Sequence, residues 1–258
     1  MPIDISQIEF FTLVFIRTVT ALAVLPVFGH AAYPAMAKAG LAGAIALLMV
    51  PALAARMPVP SGTVLDFCML AMRETVCGLL LGFAGHFLFY AVDIAGQLVG
   101  FQAGFSVVAS IDPNTESQST VITQFYNVVA LLIFVTINGH HYLLQALTDS
   151  FRVIPVGHLH ADGRLGEWTL KAVTGVMVDG IRIAAPLMVT LFLTDIGLGI
   201  LTRVAPTLNI FVLGFPLKVA ITMLMLSMTL GAVVLVFSGQ VGQFARGMPS
   251  FLKLLVAP

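Results

Sequence analysis

Apolar residues run along this chain in long blocks separated by short polar stretches, and the blocks are too long to be half-buried elements of a soluble domain. Six stand out: Phe10 to Phe28, Leu41 to Ala55, Phe67 to Val92, Val121 to Ile137, Leu170 to Ile196 and Ile210 to Phe237. About 20 residues of helix cross a hydrocarbon core of about 30 Å. The third, fifth and sixth blocks meet that length. The second is short and rich in Ala and Gly, and the fourth carries Thr123, Gln124 and Asn127, so these two are poor lipid-facing spans. The pattern predicts an all-α protein of the integral membrane type, one bundle of helical hairpins. Pro26, Pro51, Pro186 and Pro216 interrupt or bound apolar runs and predict kinked or broken helices, whose freed carbonyls need other partners.

Small and charged residues inside the blocks say how they pack. Gly78 and Gly82 form one G-x-x-x-G, and Gly96, Gly100 and Gly104 extend the spacing to a stripe, which lets helix backbones approach closely in an apolar setting. Arg17, Arg73, Glu74, Asp179, Arg182, Asp195 and Lys218 fall inside apolar runs. At a helix centre each would cost about 2.5 to 3.5 kcal/mol on insertion scales, so they are expected to face protein or water. Asp179 and Arg182 share a helical face and read as a buried, mutually neutralising pair. Arg73 and Glu74 are adjacent, point in different directions and seek partners on another helix or another chain.

Composition agrees. Hydrophobic residues make up 59% of the chain and charged residues 9%, with a mean hydropathy of +1.03, whereas a soluble domain carries about 25% charged residues. Twelve basic and twelve acidic residues leave no net field to attract nucleic acid. Outside the blocks, Arg56, Arg152, Arg164, Arg246 and Lys253 fall on one side against Lys38 and Arg203 on the other, which places both termini in the cytoplasm. Asp4 and Glu9 precede the first basic residue, the wrong order for a cleaved signal, so the first block is expected to stay in the mature protein. Cys68 and Cys77 lie on opposite faces of one helix and read as small buried hydrophobes, with no disulfide or metal framework.

Catalytic signatures are absent: there is no Walker loop, no H-E-x-x-H, no G-x-S-x-G and no dinucleotide-binding glycine fingerprint. His140 and His141 diverge by about 100° if helical, which suits loop anchoring or an interface better than a metal. His158 and His160 lie among Pro155, Gly157, Asp162 and Gly163, a stretch that reads as a solvated loop. The unusual segment is Asp93 to Gln124, which has no Lys or Arg. Its glycines are followed by Phe101, Phe105, Val107, Val108 and Ile111, then by a polar run from Asp112-Pro113. Read from its chemistry, it is either an exposed connection or an obstruction within a water-filled passage, where irregular backbone is tolerated.

Several runs together resemble the FliR/SctT family of type III protein-export gates, in its flagellar branch. They are Gly100-Phe101-Gln102-Ala103-Gly104-Phe105-Ser106 followed by Asp112-Pro113, then Asn138-Gly139-His140-His141, Ser150-Phe151 with Pro155, and Ala184-Ala185-Pro186. Arg203-Val204-Ala205-Pro206-Thr207-Leu208-Asn209-Ile210-Phe211 and Gly214-Phe215-Pro216-Leu217-Lys218 complete the set. The likeness is close from Gly100 to Lys218, and the six-block profile extends it over the whole chain.

The resemblance implies a single unit over residues 1–258, in which residues 1–169 are similar to FliP and residues 170–258 to a FliQ hairpin with a C-terminal tail. It also implies assembly with FliP and FliQ in a pore, beside FlhB and FlhA, in lipid of the bacterial inner membrane at the flagellar basal body, passing unfolded flagellar substrates without a cofactor. From the same likeness, Gly100, Phe101, Gln102, Gly104, Phe105, Ser106, Val107, Val108, Ile111, Asp112 and Pro113 would belong to the pore's plug loop. Arg73, Glu74, Asn138, His140, His141, Arg203, Pro206, Asn209, Phe211, Phe215, Pro216 and Lys218 would lie at assembly interfaces. The virulence (injectisome) secretion gate is the alternative within the family. A secondary transporter would need two halves that repeat each other, and none is evident; an enzyme would need a nucleophile with a base at a recognisable spacing.

Overall fold

A computed structural model describes residues 5–25, 27–29, 34–54, 63–105, 120–160, 163–206 and 210–256. Seven helices fill them: α1 (Ile5–Val24), α2 (Ala35–Ala54), α3 (Val64–Gln102), α4 (Val121–Thr136), α5 (Gly139–Val153), α6 (Arg164–Val204) and α7 (Ile210–Lys253). Five are long and apolar enough to cross a membrane, or six spans if α4 and α5 are taken as one broken span. The chain is an all-α membrane protein.

Two features differ from the sequence reading. Helix α5 was not among the six blocks, because it is amphipathic: Leu143, Ala146, Leu147, Ser150 and Phe151 are buried at helical spacing, while Gln145 and Arg152 are exposed. Helices α2, α6 and α7 run unbroken through Pro51, Pro186 and Pro216. The break between α4 and α5 comes instead at Asn138, whose left-handed backbone (φ 56°) is a conformation that asparagine tolerates better than most residues. Pro26 lies outside the described residues.

The chain forms two compact units. The first takes residues 1–87, 138–172 and 242–258 and the second 88–137 and 173–241, so each draws from both sides of the 169/170 boundary. The first unit's core gathers Phe10, Leu13 and Val14 of α1, Leu81 of α3, Phe151 of α5 and Phe251 of α7. Gly78 and Gly82 let α3 approach α1: a Cβ at Gly78 would meet the Arg17 carbonyl oxygen at 2.5 Å, and one at Gly82 would meet Val24 Cβ at 2.6 Å. Cys77 is buried here, but Cys68 is exposed on the chain.

Buried within this unit is an ion pair. Arg17 donates from Nε to Glu74 Oε2 at 2.6 Å and from Nη2 to Glu74 Oε1 at 3.0 Å, a two-pronged contact that the planar guanidinium suits. Its Nη1 donates to the Ile154 carbonyl at 3.0 Å and to Ser150 Oγ at 3.4 Å, and its charge lies 4.2 Å from the centre of the Phe151 ring. Glu74 Oε1 also accepts the Gly157 N–H at 2.7 Å, while the neighbouring Arg73 donates to the Gly157 carbonyl at 2.8 Å. Arg73 and Glu74 do point differently, and of the two kinds of partner open to them each finds one elsewhere in its own chain. Gly157 has φ +80°, so glycine is needed at the very residue the two side chains grip. The stretch expected as a solvated loop therefore contains buried Val156 and Gly157, with His158 and His160 exposed.

Arg17→Ala leaves Glu74 buried without its counter-charge, and the expected cost is about 3–5 kcal/mol. Thermal unfolding of the detergent-purified protein should show the loss, and the paired change Arg17→Met with Glu74→Leu should recover most of it. A single variant as stable as the parent would contradict this account of the pair.

Candidate functional site

The second unit contains the described portion of the segment singled out in the sequence. Its helices meet at small residues and at a few polar bridges. A Cβ on Gly96 would lie 2.5 Å from Thr123 Cα, and one on Gly100 2.8 Å from Thr120 Cβ, so the glycine stripe of α3 receives the first turn of α4. Thr120 is the α4 N-cap, and its hydroxyl accepts the Thr123 N–H at 3.2 Å. Asn127 donates to Asp93 Oδ1 at 2.6 Å, tying the same two helices farther along. Phe89 stands edge-on to Phe134 and Phe237, each at 5.5 Å between ring centres.

The C-terminal end of α3 is held from two other helices. Gln102 donates through Nε2 to Asp195 Oδ2 of α6 at 3.0 Å, and Lys218 of α7 meets Asp195 Oδ1 at 2.5 Å. Lys218 also donates to the main-chain oxygen of Gln102 at 3.3 Å, one of the carbonyls that a helix C-terminus leaves without an internal partner. Gly104 takes φ +90°, a left-handed conformation suited to glycine just beyond a helix end. Phe105 then sets its ring edge-on to Phe215 at 6.0 Å.

The structure thus brings Gly100, Gln102, Gly104 and Phe105 together with Phe215 and Lys218. Phe101 points away and is 72% exposed. Ser106, Val107, Val108, Ile111, Asp112 and Pro113 lie outside the described residues, as do Asn209 and the side chain of Phe211. Arg203, Pro206 and Pro216 are exposed at the end of α6, just beyond it and in α7. Arg73, Glu74, Asn138, His140 and His141 belong to the first unit. Asn138 and His141 are exposed, His140 is half-buried, and the two imidazole rings lie 4.5 Å apart in the first turn of α5.

Sequence reasoning named both Glu74 and Lys218 but not whom they pair with, and it did not name Thr120. Arg17 and Asp195 stood out as charges in apolar runs, yet nothing in their spacing identified Glu74 and Lys218 as partners. Thr120 was legible as a helix cap, since it precedes an apolar run, but its contact with Gly100 was not. The Asp179–Arg182 pair forms at 3.2 Å, though not buried: Arg182 is 68% exposed, and Asp179 is held from the other side by Gln240 at 3.0 Å. All seven charges placed inside the apolar blocks therefore have a partner in their own chain.

The family model for bacterial export proteins, family 1, matches residues 8–244. Over 250 residues, 95% of each chain, the sequence is 35% identical to the flagellar biosynthetic protein FliR of Bacillus subtilis (strain 168). It is 33% identical to the FliR of Escherichia coli (strain K12), over 80% of this chain and 78% of that one. The Yop proteins translocation protein T of Yersinia pestis is 28% identical over 84% of each.

The glycine contacts predict an asymmetry. Gly96→Ala and Gly100→Ala should each destabilise the purified protein by roughly 1–3 kcal/mol, because a backbone or a capping residue must shift to admit the methyl group. Gly199→Ala, with nothing within 4 Å of its added Cβ, should leave the unfolding temperature unchanged or raise it slightly. Equal effects at all three sites would contradict the close-approach reading.

Proposed function

The chain belongs to the bacterial export proteins, family 1, the FliR/SctT family, and on that footing we propose that it is a pore-forming subunit of the flagellar type III protein-export gate. The family is one of export proteins and not of enzymes. The observation that carries the proposal is the 35% identity to a flagellar FliR across 95% of both chains. In this reading the protein sits in the bacterial inner membrane at the flagellar basal body and joins FliP and FliQ around a conduit, beside FlhB and FlhA. Residues 1–169 take a FliP-like place and residues 170–258 a FliQ-like one.

The uncovered apolar surface supports an assembled setting. Phe192, Leu193, Ile200, Leu224, Met228 and Leu235, all on α6 and α7, are each more than half exposed in the single chain, and apolar surface of this extent marks contact with lipid or other chains. Because the ion pairs are satisfied within the chain, its contacts with neighbours can rest on shape and apolar packing together with Asn138, His140, His141, Arg203 and Pro206.

The mechanism is one of obstruction and displacement. Phe105 and the segment that follows it, with Val107, Val108 and Ile111, present bulky apolar groups that exclude water and ions when the gate is closed. Gly100 and Gly104 flank the start of that segment, and an unfolded substrate pushes it aside. Nothing in the chain matches a nucleotide-binding loop, so the driving energy comes from other components. The Yersinia relative favours a second reading, an injectisome gate with the same mechanism and different cargo. The greater identity to the flagellar proteins of Bacillus subtilis and Escherichia coli favours the first.

Deleting the gene should abolish export of rod and hook proteins and motility while leaving solute uptake intact; normal filaments in the deletion strain would refute the proposal. Replacing Phe105, Val107 and Val108 together with Gly or Ser should make membranes carrying the gate leaky to ions and small dyes. Unchanged conductance would remove the obstruction from the mechanism.

A further inference from the structure

Three helices converge where α3 ends, and one ion pair holds both the side chain and the main chain of a single residue there. Asp195 uses both oxygens, one for Lys218 and one for the Gln102 amide, and Lys218 adds its bond to the Gln102 carbonyl. An ordinary neutralising pair between two apolar helices needs no third element. Here α6 and α7 together grip the last residue of α3, and three positions later Phe105 lies against Phe215. Phe215 and Lys218 are three apart on α7, so they share a face. The ring contact and the polar grip are therefore one continuous surface. Gly104 lies between them and takes the left-handed turn, so close that an added Cβ would stand 3.5 Å from the Phe215 ring.

We propose that Asp195 and Lys218 are positioning residues for the obstruction: by fixing Gln102 they hold Phe105 against Phe215, and loss of the pair releases that ring. The proposal rests on the reading of Phe105 as a member of the pore's block. It assigns Lys218 a task inside its own chain, distinct from contact with a sister subunit. The pair is partly accessible, with side-chain exposures of 38% for Asp195 and 20% for Lys218, so it can exchange its bonds for water without first unfolding the helices that carry it.

The test uses membrane vesicles from cells expressing the protein with its export-apparatus neighbours, and reads dye and ion leakage alongside co-purification of those neighbours. Asp195→Asn and Lys218→Gln should each raise leakage about tenfold, the population change expected for losing one charge-assisted contact, with assembly intact. The exchanged pair, Asp195→Lys with Lys218→Asp, should restore most of the tightness, which a general loss of structure would not allow. Phe105→Gly serves as the reference. If Phe105→Gly leaks and neither single variant does, the positioning role is overturned while the obstruction stands. If Phe105→Gly leaves the membrane tight, the obstruction falls and the positioning role with it. If the single variants lose their neighbours and the exchange does not bring them back, the pair is an intersubunit contact and the proposal is wrong.

Discussion

A charge carried on an apolar helix must be answered within reach, and the Arg17–Glu74 pair is the answer around which the first compact unit is organised. Arginine suits the place because its fork meets both carboxylate oxygens while a third nitrogen remains free for the Ile154 carbonyl and Ser150. Lysine has the charge without the planar fork. The pair joins residues 57 apart in sequence, and its outer bonds reach 133 and 137 residues along the chain. Helices α1, α3 and α5 and the turn around Gly157 are thereby fixed together. Apolar packing has no direction of its own and would accept neighbouring registers; desolvated charges accept only the one that pairs them.

The second unit is held together differently. Its helices approach through missing side chains, with Gly96 and Gly100 of α3 receiving Thr123 and Thr120 of α4. Where hydrocarbon surrounds a helix, apolar side chains gain little by meeting one another, so close backbone contact and shared hydrogen bonds supply the specificity. Asn127 to Asp93, Gln240 to Asp179 and the Gln102–Asp195–Lys218 group are such bonds. The family's export function gives these devices a common sense. On the proposed reading, a conduit wall has to keep its shape while its obstructing element is displaced, and a few polar bridges can open and re-form where a continuous apolar interface would have to unpack.

Much of this was legible along the chain. The apolar blocks matched helices, the two glycine motifs marked the close approaches of α1 to α3 and of α3 to α4, and the charges inside the blocks were expected to face protein or water: Arg17 and Glu74 face protein, while Arg182 stays largely exposed. The misses share a cause. Helix α5 escaped because its burial is one-sided, so its average polarity resembles that of a loop even though Leu143, Ala146, Leu147, Ser150 and Phe151 repeat at helical spacing. Gly157 escaped because its neighbours Pro155 and His158 have the composition of a turn, while its burial depends on Arg73 and Glu74, more than 80 residues away. Of the two outcomes expected at the prolines, a kink or a break, the break does not occur at Pro51, Pro186 or Pro216, since a helix held by its surroundings can run through a residue that would end it in isolation.

What the sequence determined by itself is the kind of solvent this chain requires, the helical character of nearly every block, and the family, because each of these follows from local hydrophobicity, local spacing or runs of residues read in order. What only the tertiary structure decided is pairing: which acid answers Arg17, that Asp195 and Lys218 close on Gln102, and that the backbone breaks at Asn138 while passing unbroken through Pro51, Pro186 and Pro216. The physical reason is that a charge in an apolar run states a demand for a partner without saying where the partner lies. Many acids and bases could satisfy that demand on paper, and only the packed helices bring one of them within bonding distance.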